Sequence, residues 1–570
     1  MNEMKEKKRR VKVKPLTFII IVALVMGGLG IYLMNTEFTS ITDKSYYLKS
    51  LTKDVKVYNE KGEDRGTLPR GVKVKTKTKL NKVLENKEEL KAFIYKDEVY
   101  YIKDSSVLTS DVKDIIMEKD IYVRTSQNLR DKDDDMKLLN LLNKGSKVKV
   151  LGYDKINEDG TVNKYLVEGN GTIGNIYGKY TAIDYETAIA NYEPDKYYTV
   201  HKNRGNKYGG DAGNLDYYPT DKPKFENNVM PTKVYALYLN NTKEVINNVS
   251  SYIEFAKTTK INAFVVDIKD SAAGGYKSPV MQKYSKTSYE KAFNEMDDYK
   301  AAIKKIKDAG FYVIGRITTF KDEYYIKDHE DHAIANAKTS KPLLHNNSYW
   351  PSAFIREVWE YNVLLAKEAV TEMGFNEIQF DYIRFPDGTG KLERQGIIDY
   401  KNTYKEDKAQ AIQRFLQYAV DELHKLNVYV SADVFGESAH NYVTAYGQYF
   451  AAISNVVDVI SAMPYPDHFN KYDYGFDVPV WTIPYDLLSY FSKNYAGLRQ
   501  KECPTPAIAR TWIATYDTIK EPYITYGAKE VSDQIRGLFE GGLNGGYMTW
   551  NSASNLAKYK SQKDAYSREY

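Results

Sequence analysis

Asp381 and Asp433 are the two residues of this 570-residue chain best placed for acid–base chemistry. Each closes a short apolar run, Glu377–Asp381 and Val428–Asp433, in which every second residue is polar or aromatic. Alternate residues of a strand face opposite sides, so Glu377, Gln379 and Asp381 share one face, as do Tyr429, Ser431 and Asp433. Neighbouring strands lie about 4.8 Å apart. Two carboxyl groups ending such strands could flank a glycosidic bond, one as nucleophile or base and the other, kept protonated, as general acid. The same parity turns Asp267 and Lys269 inward from a run beginning at Ala263, and Arg316 inward from Tyr312–Ile317. Interior charges are costly unless paired, so these residues and Asp270 are expected to bind substrate hydroxyls. Arg384 and Glu437, just beyond the two central runs, are further candidates to bind substrate, and Glu437 is also a candidate acid. Tyr382, Phe385, Tyr465, Trp512 and Trp550, with Asn551, recur at strand ends, where flat rings stack on the C–H faces of sugars. The competing reading has Asp381 paired with Arg316 or Arg384, merely bracing loops.

Other chemistries find little support. Cys503 is the single cysteine, so no intramolecular disulfide or cysteine-based zinc site exists, and nothing beside it resembles a thiol-activating motif. His329-Glu330-Asp331-His332 reads as a solvated charged face rather than a ligand set. A Gly-x-Ser-x-Gly elbow and a Walker loop are both missing. No metal and no cofactor are expected. The net charge of +5 comes largely from the first fourteen residues and leaves no nucleic-acid footprint.

The elements that must carry these residues begin at about Thr232, where apolar strands alternate with helical segments. Eight runs can be counted, at Val234–Leu239, Ala263–Asp267, Tyr312–Ile317, Glu377–Asp381, Val428–Asp433, Val457–Met463, Ala507–Ile513 and Tyr547–Trp550. Helical segments such as Arg356–Glu372 and Lys408–Leu426 separate most of them, and Gly310 and Gly374 stop two helices just before a strand. Residues 231–560 are thus expected to form a (β/α)8 TIM barrel, the α/β core of the chain. Such barrels work at the C-terminal ends of their strands, where Asp381 and Asp433 fall.

Ahead of the barrel the chain reads differently. Residues 1–15 are a basic tail and 16–34 an uncharged apolar run long enough to cross a bilayer. The next residues, Asn35-Thr36-Glu37-Phe38, offer no small-x-small cleavage site, which favours a signal anchor with the rest of the chain outside a Gram-positive-like cell. Residues 45–110 and 114–185 carry a repeated phrase of short strands: Leu68-Pro69-Arg70-Gly71-Val72-Lys73-Val74 is echoed by Asn143-Lys144-Gly145-Ser146-Lys147-Val148-Lys149-Val150. They look like two small all-β SH3-like domains, which bind cell wall or space the barrel from the membrane. Residues 190–230 form a polar linker or barrel extension.

The barrel motifs carry a resemblance. Phe264-Val265-Val266-Asp267-Ile268-Lys269-Asp270, Arg316-Ile317-Thr318-Thr319-Phe320-Lys321-Asp322, Gly374-Phe375-Asn376-Glu377-Ile378-Gln379-Phe380-Asp381-Tyr382-Ile383-Arg384-Phe385-Pro386, Val430-Ser431-Ala432-Asp433-Val434-Phe435-Gly436 and Ser461-Ala462-Met463-Pro464-Tyr465-Pro466 occur in that order. Together they resemble the bacterial "putative glycoside hydrolase" barrel family, long carried as a domain of unknown function, over about residues 230–560. Ser352 departs from the family pattern, standing where an aspartate is expected nearby. The resemblance implies a barrel related to glycoside hydrolases and a polysaccharide partner. The alternatives are a catalytically inactive barrel that binds wall polymer or scaffolds envelope proteins, and another hydrolase or lyase on the same fold. An open cleft with Asp381 and Asp433 facing each other is the mark of the enzyme. A filled or sealed cleft, or Asp381 locked against an arginine, marks the binder.

Overall fold

The computed structural model describes residues 44–570; the basic tail and the apolar segment 16–34 lie outside the described residues. Among the described residues, no helix is long and apolar enough to cross a membrane. The chain divides into two compact units, one comprising the residues through Ile121 with Lys149–Leu166 and Tyr177–Lys179, the other Tyr122–Val148, Val167–Ile176 and Tyr180–Tyr570.

Two β-sheets precede the barrel. One runs from Ser45–Leu48 to Leu108–Thr109, the other from Asp120–Val123 to Thr181–Ala182. With the two-residue strand Lys82–Val83 set aside and strands counted in chain order, both sheets have the order 3-2-6-5-4-1-7. The repeated sequence phrase therefore encodes a repeated topology.

The remaining chain builds eight strand–helix units. The strands are β1 Val234–Leu239, β2 Ala263–Asp270, β3 Tyr312–Thr318, β4 Glu377–Asp381, β5 Tyr429–Phe435, β6 Val459–Met463, β7 in two pieces, Ile508–Ala509 and Thr511–Ala514, and β8 Gly546–Trp550. The principal helices after them are α1 Val249–Ala256, α2 Met296–Asp308, α3 Arg356–Met373, α4 Lys408–Leu423, α5 Phe450–Val456, α6 Pro484–Phe491, α7 Ala528–Glu540 and α8 Leu556–Ser561. Neighbouring strands pair in parallel from β1 through β6. The first piece of β7 pairs with β6 and the second with β8, which pairs with β1, so the sheet closes on itself. Gly374 ends α3 in the left-handed conformation, as its place before β4 requires.

Strand parity separates two cores. Ala236, Val265, Ile314, Tyr429, Trp512 and Met548 meet inside the barrel, whereas Leu237, Val266, Val313, Ile378 and Val430 pack beneath the helices. At the N-terminal end the interior carries a sealed ion pair. Arg510 Nη1 donates to Glu377 Oε1 and Oε2 at 2.8 and 3.0 Å, and the Tyr312 hydroxyl donates to Oε2 at 3.1 Å. That end of a barrel serves stability, which assigns Glu377 a structural role.

The alternation slips once. The β2–β3 register shifts between Asp267 and Lys269, and one extra residue in a strand turns the later residues to the other face. Lys269 is therefore not an axial or substrate-facing residue. Its Nζ donates to Asp322 Oδ2 at 2.6 Å and to Asn362 Oδ1 of α3 at 3.1 Å, with no exposed surface.

Closure of the barrel also depends on Gly546. Its φ of +121° is one that side chains rarely adopt, and a Cβ there would lie 1.9 Å from the Val234 carbonyl oxygen. Because that oxygen belongs to the paired strand β1, it cannot retreat without breaking the pairing. Gly546→Ala is expected to cost about 3 kcal/mol or more, from backbone strain and overpacking together. The drop would be read from the denaturant midpoint.

Candidate active site

At the C-terminal end of the strands the interior charges converge on one guanidinium. Arg316, from β3, is 2% exposed. Its Nη1 donates to Asp267 Oδ1 of β2 at 2.6 Å and to Asp270 Oδ1 at 3.2 Å. Its Nη2 and Nε both reach Asp381 Oδ2 of β4, at 2.5 and 3.2 Å. The same Nε lies 3.8 Å from Asp433 Oδ2 of β5. Four carboxyl groups from three strands thus share one cation. The strands place them there because residues 267, 316, 381 and 433 end the inward-facing series on neighbouring strands.

The carboxyl groups of Asp381 and Asp433 are therefore neighbours. Both distances run to one nitrogen, so their Oδ2 atoms are at most about 7 Å apart, which admits the 5–5.5 Å of retaining glycosidases and only the narrow end of the 6.5–9.5 Å of inverting ones. Their surroundings differ. Asp381 accepts two donors from Arg316 and, at Oδ1, the Tyr382 backbone N–H at 2.5 Å. Tyr382 makes that bond at a φ of +52°, a strained region for a tyrosine. Asp433 has no exposed surface; Trp512 Nε1 donates to its Oδ1 at 2.8 Å, and its Oδ2 has no hydrogen-bond partner. Burial, together with the negative charge of Asp381, pushes the Asp433 carboxyl well above the ordinary aspartate range, against the opposing pull of Arg316 and Trp512.

Burial also lifts Asp267, up to about 7, although Arg316 and a hydrogen bond from the Tyr238 hydroxyl work the other way. An unfolded aspartate titrates near 3.8. Between those values the folded chain binds the proton more tightly than the unfolded one, so this group makes stability fall as pH rises from about 4 to about 7. Asp267→Asn is expected to flatten that part of the stability–pH curve. Denaturant midpoints measured across the window would check it, and a variant curve parallel to the wild type would contradict it.

Several expected rim residues are placed differently. Trp512 and Tyr465 are buried, 1% and 4% exposed, so neither offers a free stacking face; Trp512 instead positions Asp433. Tyr382 and Trp550 are half-buried and do remain at the surface. Arg384 does not touch Asp381. It is buried over the Phe435 ring, and its Nη1 donates to Asp387 Oδ1 and the Phe385 carbonyl at 3.0 and 3.1 Å. Asn551 is buried, Phe385 packs against Phe354, and exposed Glu437 accepts hydroxyls from Tyr442 and Tyr446 at 3.1 and 2.9 Å. The Ser352 hydroxyl donates to the Tyr400 carbonyl at 2.5 Å, a loop brace. Among the four clustered carboxylates, Asp270 alone keeps substantial exposure, at 41% of its side chain. Sequence reasoning misses Tyr238, although the alternation of Val234, Ala236 and Tyr238 along β1 points its hydroxyl to the same interior.

The histidine segment is less solvated than its charge suggests. His329 and His332 are half-buried and bonded to the Tyr284 carbonyl and the Tyr325 hydroxyl. With Asp331 they bring one ligand atom each within 4.8 Å of one another, remote in sequence from the barrel carboxylates.

A closed parallel barrel with a carboxylate cluster at its C-terminal mouth defines the architectural class. A family model described as "putative glycosyl hydrolase domain" matches residues 236–556, and the chain belongs to that family. No curated protein matches the chain. Among solved structures, a hypothetical protein from Ruminiclostridium thermocellum is 32% identical, over 35% of this chain and 97% of its own, with a TM-score of 0.29. The PgaB (BpsB) glycoside hydrolase domain from Bordetella bronchiseptica is 12% identical, over 60% of this chain and 100% of its own, with a TM-score of 0.43. A chitinase from Rhizomucor miehei is 11% identical, over 59% and 99%, with a TM-score of 0.37. At TM-scores below 0.5 none of the three bears on the roles of individual residues.

Proposed function

We propose that the chain is a glycoside hydrolase of the cell surface, with Asp433 as general acid and Asp381 as nucleophile or base. The observation that carries this reading is the unlike treatment of two neighbouring carboxyl groups. Asp433 is sealed, short of donors and kept protonated, while Asp381 is salt-bridged and oriented by Arg316. A carboxyl group sealed from solvent beside one gripped by an arginine can divide acid and base duties with it. Asp267 and Arg316 then position Asp381. Asp270, Tyr382 and Trp550 are the residues left at the mouth to meet a sugar. The bound on the carboxyl separation favours retention of anomeric configuration. For substrate to reach Asp433 Oδ2, the half-buried rim side chains must part.

The substrate in this reading is a wall or surface polysaccharide. The uncharged run 16–34 after a basic tail supports a single-pass anchor with the barrel outside the cell. The two β-sheets with one topology support SH3-like modules that hold wall polymer or set the distance from the membrane.

A second reading has its own observation. Asp381 is locked against an arginine and Asp433 has no exposed surface, which is the arrangement expected of a barrel that binds polymer without cleaving it. Incubation of the soluble segment 36–570 with purified wall and capsule polysaccharides, with new reducing ends measured, separates the two. Release of reducing ends that is lost in Asp433→Asn is the expected result. Co-sedimentation with polymer and no new ends would overturn the hydrolase reading and support the binder.

A further inference from the structure

We propose that a cavity beside α4, on the outer wall of the barrel, is a second saccharide-binding site. The cavity has a volume of about 290 Å³. One wall is the face of α4 that carries Gln410, Gln413, Arg414 and Gln417, spaced three and four residues apart so that they line up on one side of the helix. Asn143 and Thr125, from the chain flanking the strands Leu138–Leu142 and Gln127–Arg130, contribute to the facing wall.

A gap between packed elements is ordinarily filled by apolar side chains; this one mixes amides and hydroxyls with the charged Lys144, Arg414 and Asp216 and the apolar Tyr198 and Leu215. Some are committed to holding the walls. Gln413 accepts the Asp216 N–H at 2.9 Å and donates to the Asp216 carbonyl at 2.7 Å, and Arg414 pairs with Glu406 at 2.6 Å. Others are not. The Thr125 hydroxyl is buried without a partner, and half-buried Gln417 and exposed Asn143 present their side-chain amides at the cavity. Lys144, at the same wall, is occupied by the Ala190 carbonyl and Asn191 Oδ1, at 2.9 and 2.6 Å.

The uncommitted groups are neutral and able both to donate and to accept. An apolar ligand would strand them without partners; Arg414 is paired with Glu406 and the Lys144 charge is offset by the nearby Asp216 carboxylate, which leaves little to attract an anion. Vicinal hydroxyls of a neutral sugar match them. Ligand cavities run from about 300 to 1,000 Å³, so this one is sized for a single sugar residue, as at a chain end or branch. The site stands whether or not the barrel mouth is catalytic.

Calorimetric titration of the full chain with chitotetraose and with cellotetraose tests the assignment. At least one is expected to bind, with Kd weakened tenfold or more in Gln417→Leu and in Asn143→Ala. Both substitutions fall on side chains that hold no other element, so folding is preserved and is checked by the unfolding midpoint. Absence of binding by either oligosaccharide, or binding equal to wild type in both cavity variants, would overturn the proposal.

Discussion

Asp433→Asn is expected to abolish glycoside hydrolysis while leaving the fold intact. General acid catalysis contributes roughly 10²–10⁴-fold, and the amide cannot deliver a proton to the leaving oxygen, so activity should fall by at least about 10³. Stability should hold. Asn is nearly isosteric with Asp, and its oxygen can still accept from Trp512 Nε1. Asp381→Asn should lose activity to a similar degree, through removal of the nucleophile or base. It also deprives Arg316 of two of its charged contacts, leaving those to Asp267 and Asp270. Reducing-end release on one polysaccharide, with unfolding midpoints for the three proteins, checks both substitutions. Full activity in both variants would remove these residues from the chemistry.

Arg316→Met carries the largest expected cost in stability. Removing one partner of a buried ion pair typically costs about 3–5 kcal/mol, because the remaining charge is left without compensation. Here Asp267 and Asp381 lose their buried counter-ion together, and Asp270 its exposed-side contact. Protonation can relieve the stranded groups, so the penalty should be larger at pH 8 than at pH 5. Denaturant unfolding at the two pH values measures this difference. A loss of under about 1 kcal/mol at both, the size of an exposed ion pair, would show that the cluster is not held by Arg316.

Much of this arrangement was legible in the sequence because the residues concerned obey a strict period of two. Ile378 and Phe380 pack outward and Gln379 and Asp381 inward, as alternation alone requires. The same rule brings Asp267, Arg316 and Asp433 to one station on three further strands. Lys269 breaks it, because a register shift is a property of two paired strands and has no signature in one. The aromatic residues misled for a different reason. Strand-end position gives the height of Trp512 and Tyr465 in the barrel but not whether other side chains cover them. Both are covered, and the indole N–H of Trp512 then finds the buried acceptor it needs in Asp433. The convergence of four carboxyl groups on Arg316, where alternation supplied candidates without pairings, depends on barrel closure and on contacts 46 to 117 residues apart in sequence.

An infrared difference spectrum at neutral pH, wild type minus Asp433→Asn, tests most directly whether two unlike carboxyl groups share this buried site. The expected spectrum contains the carbonyl stretch of a protonated carboxylic acid, present in the wild type and missing from the variant. A difference confined to the carboxylate bands would show Asp433 ionised, and the division of acid and base between Asp433 and Asp381 would fail.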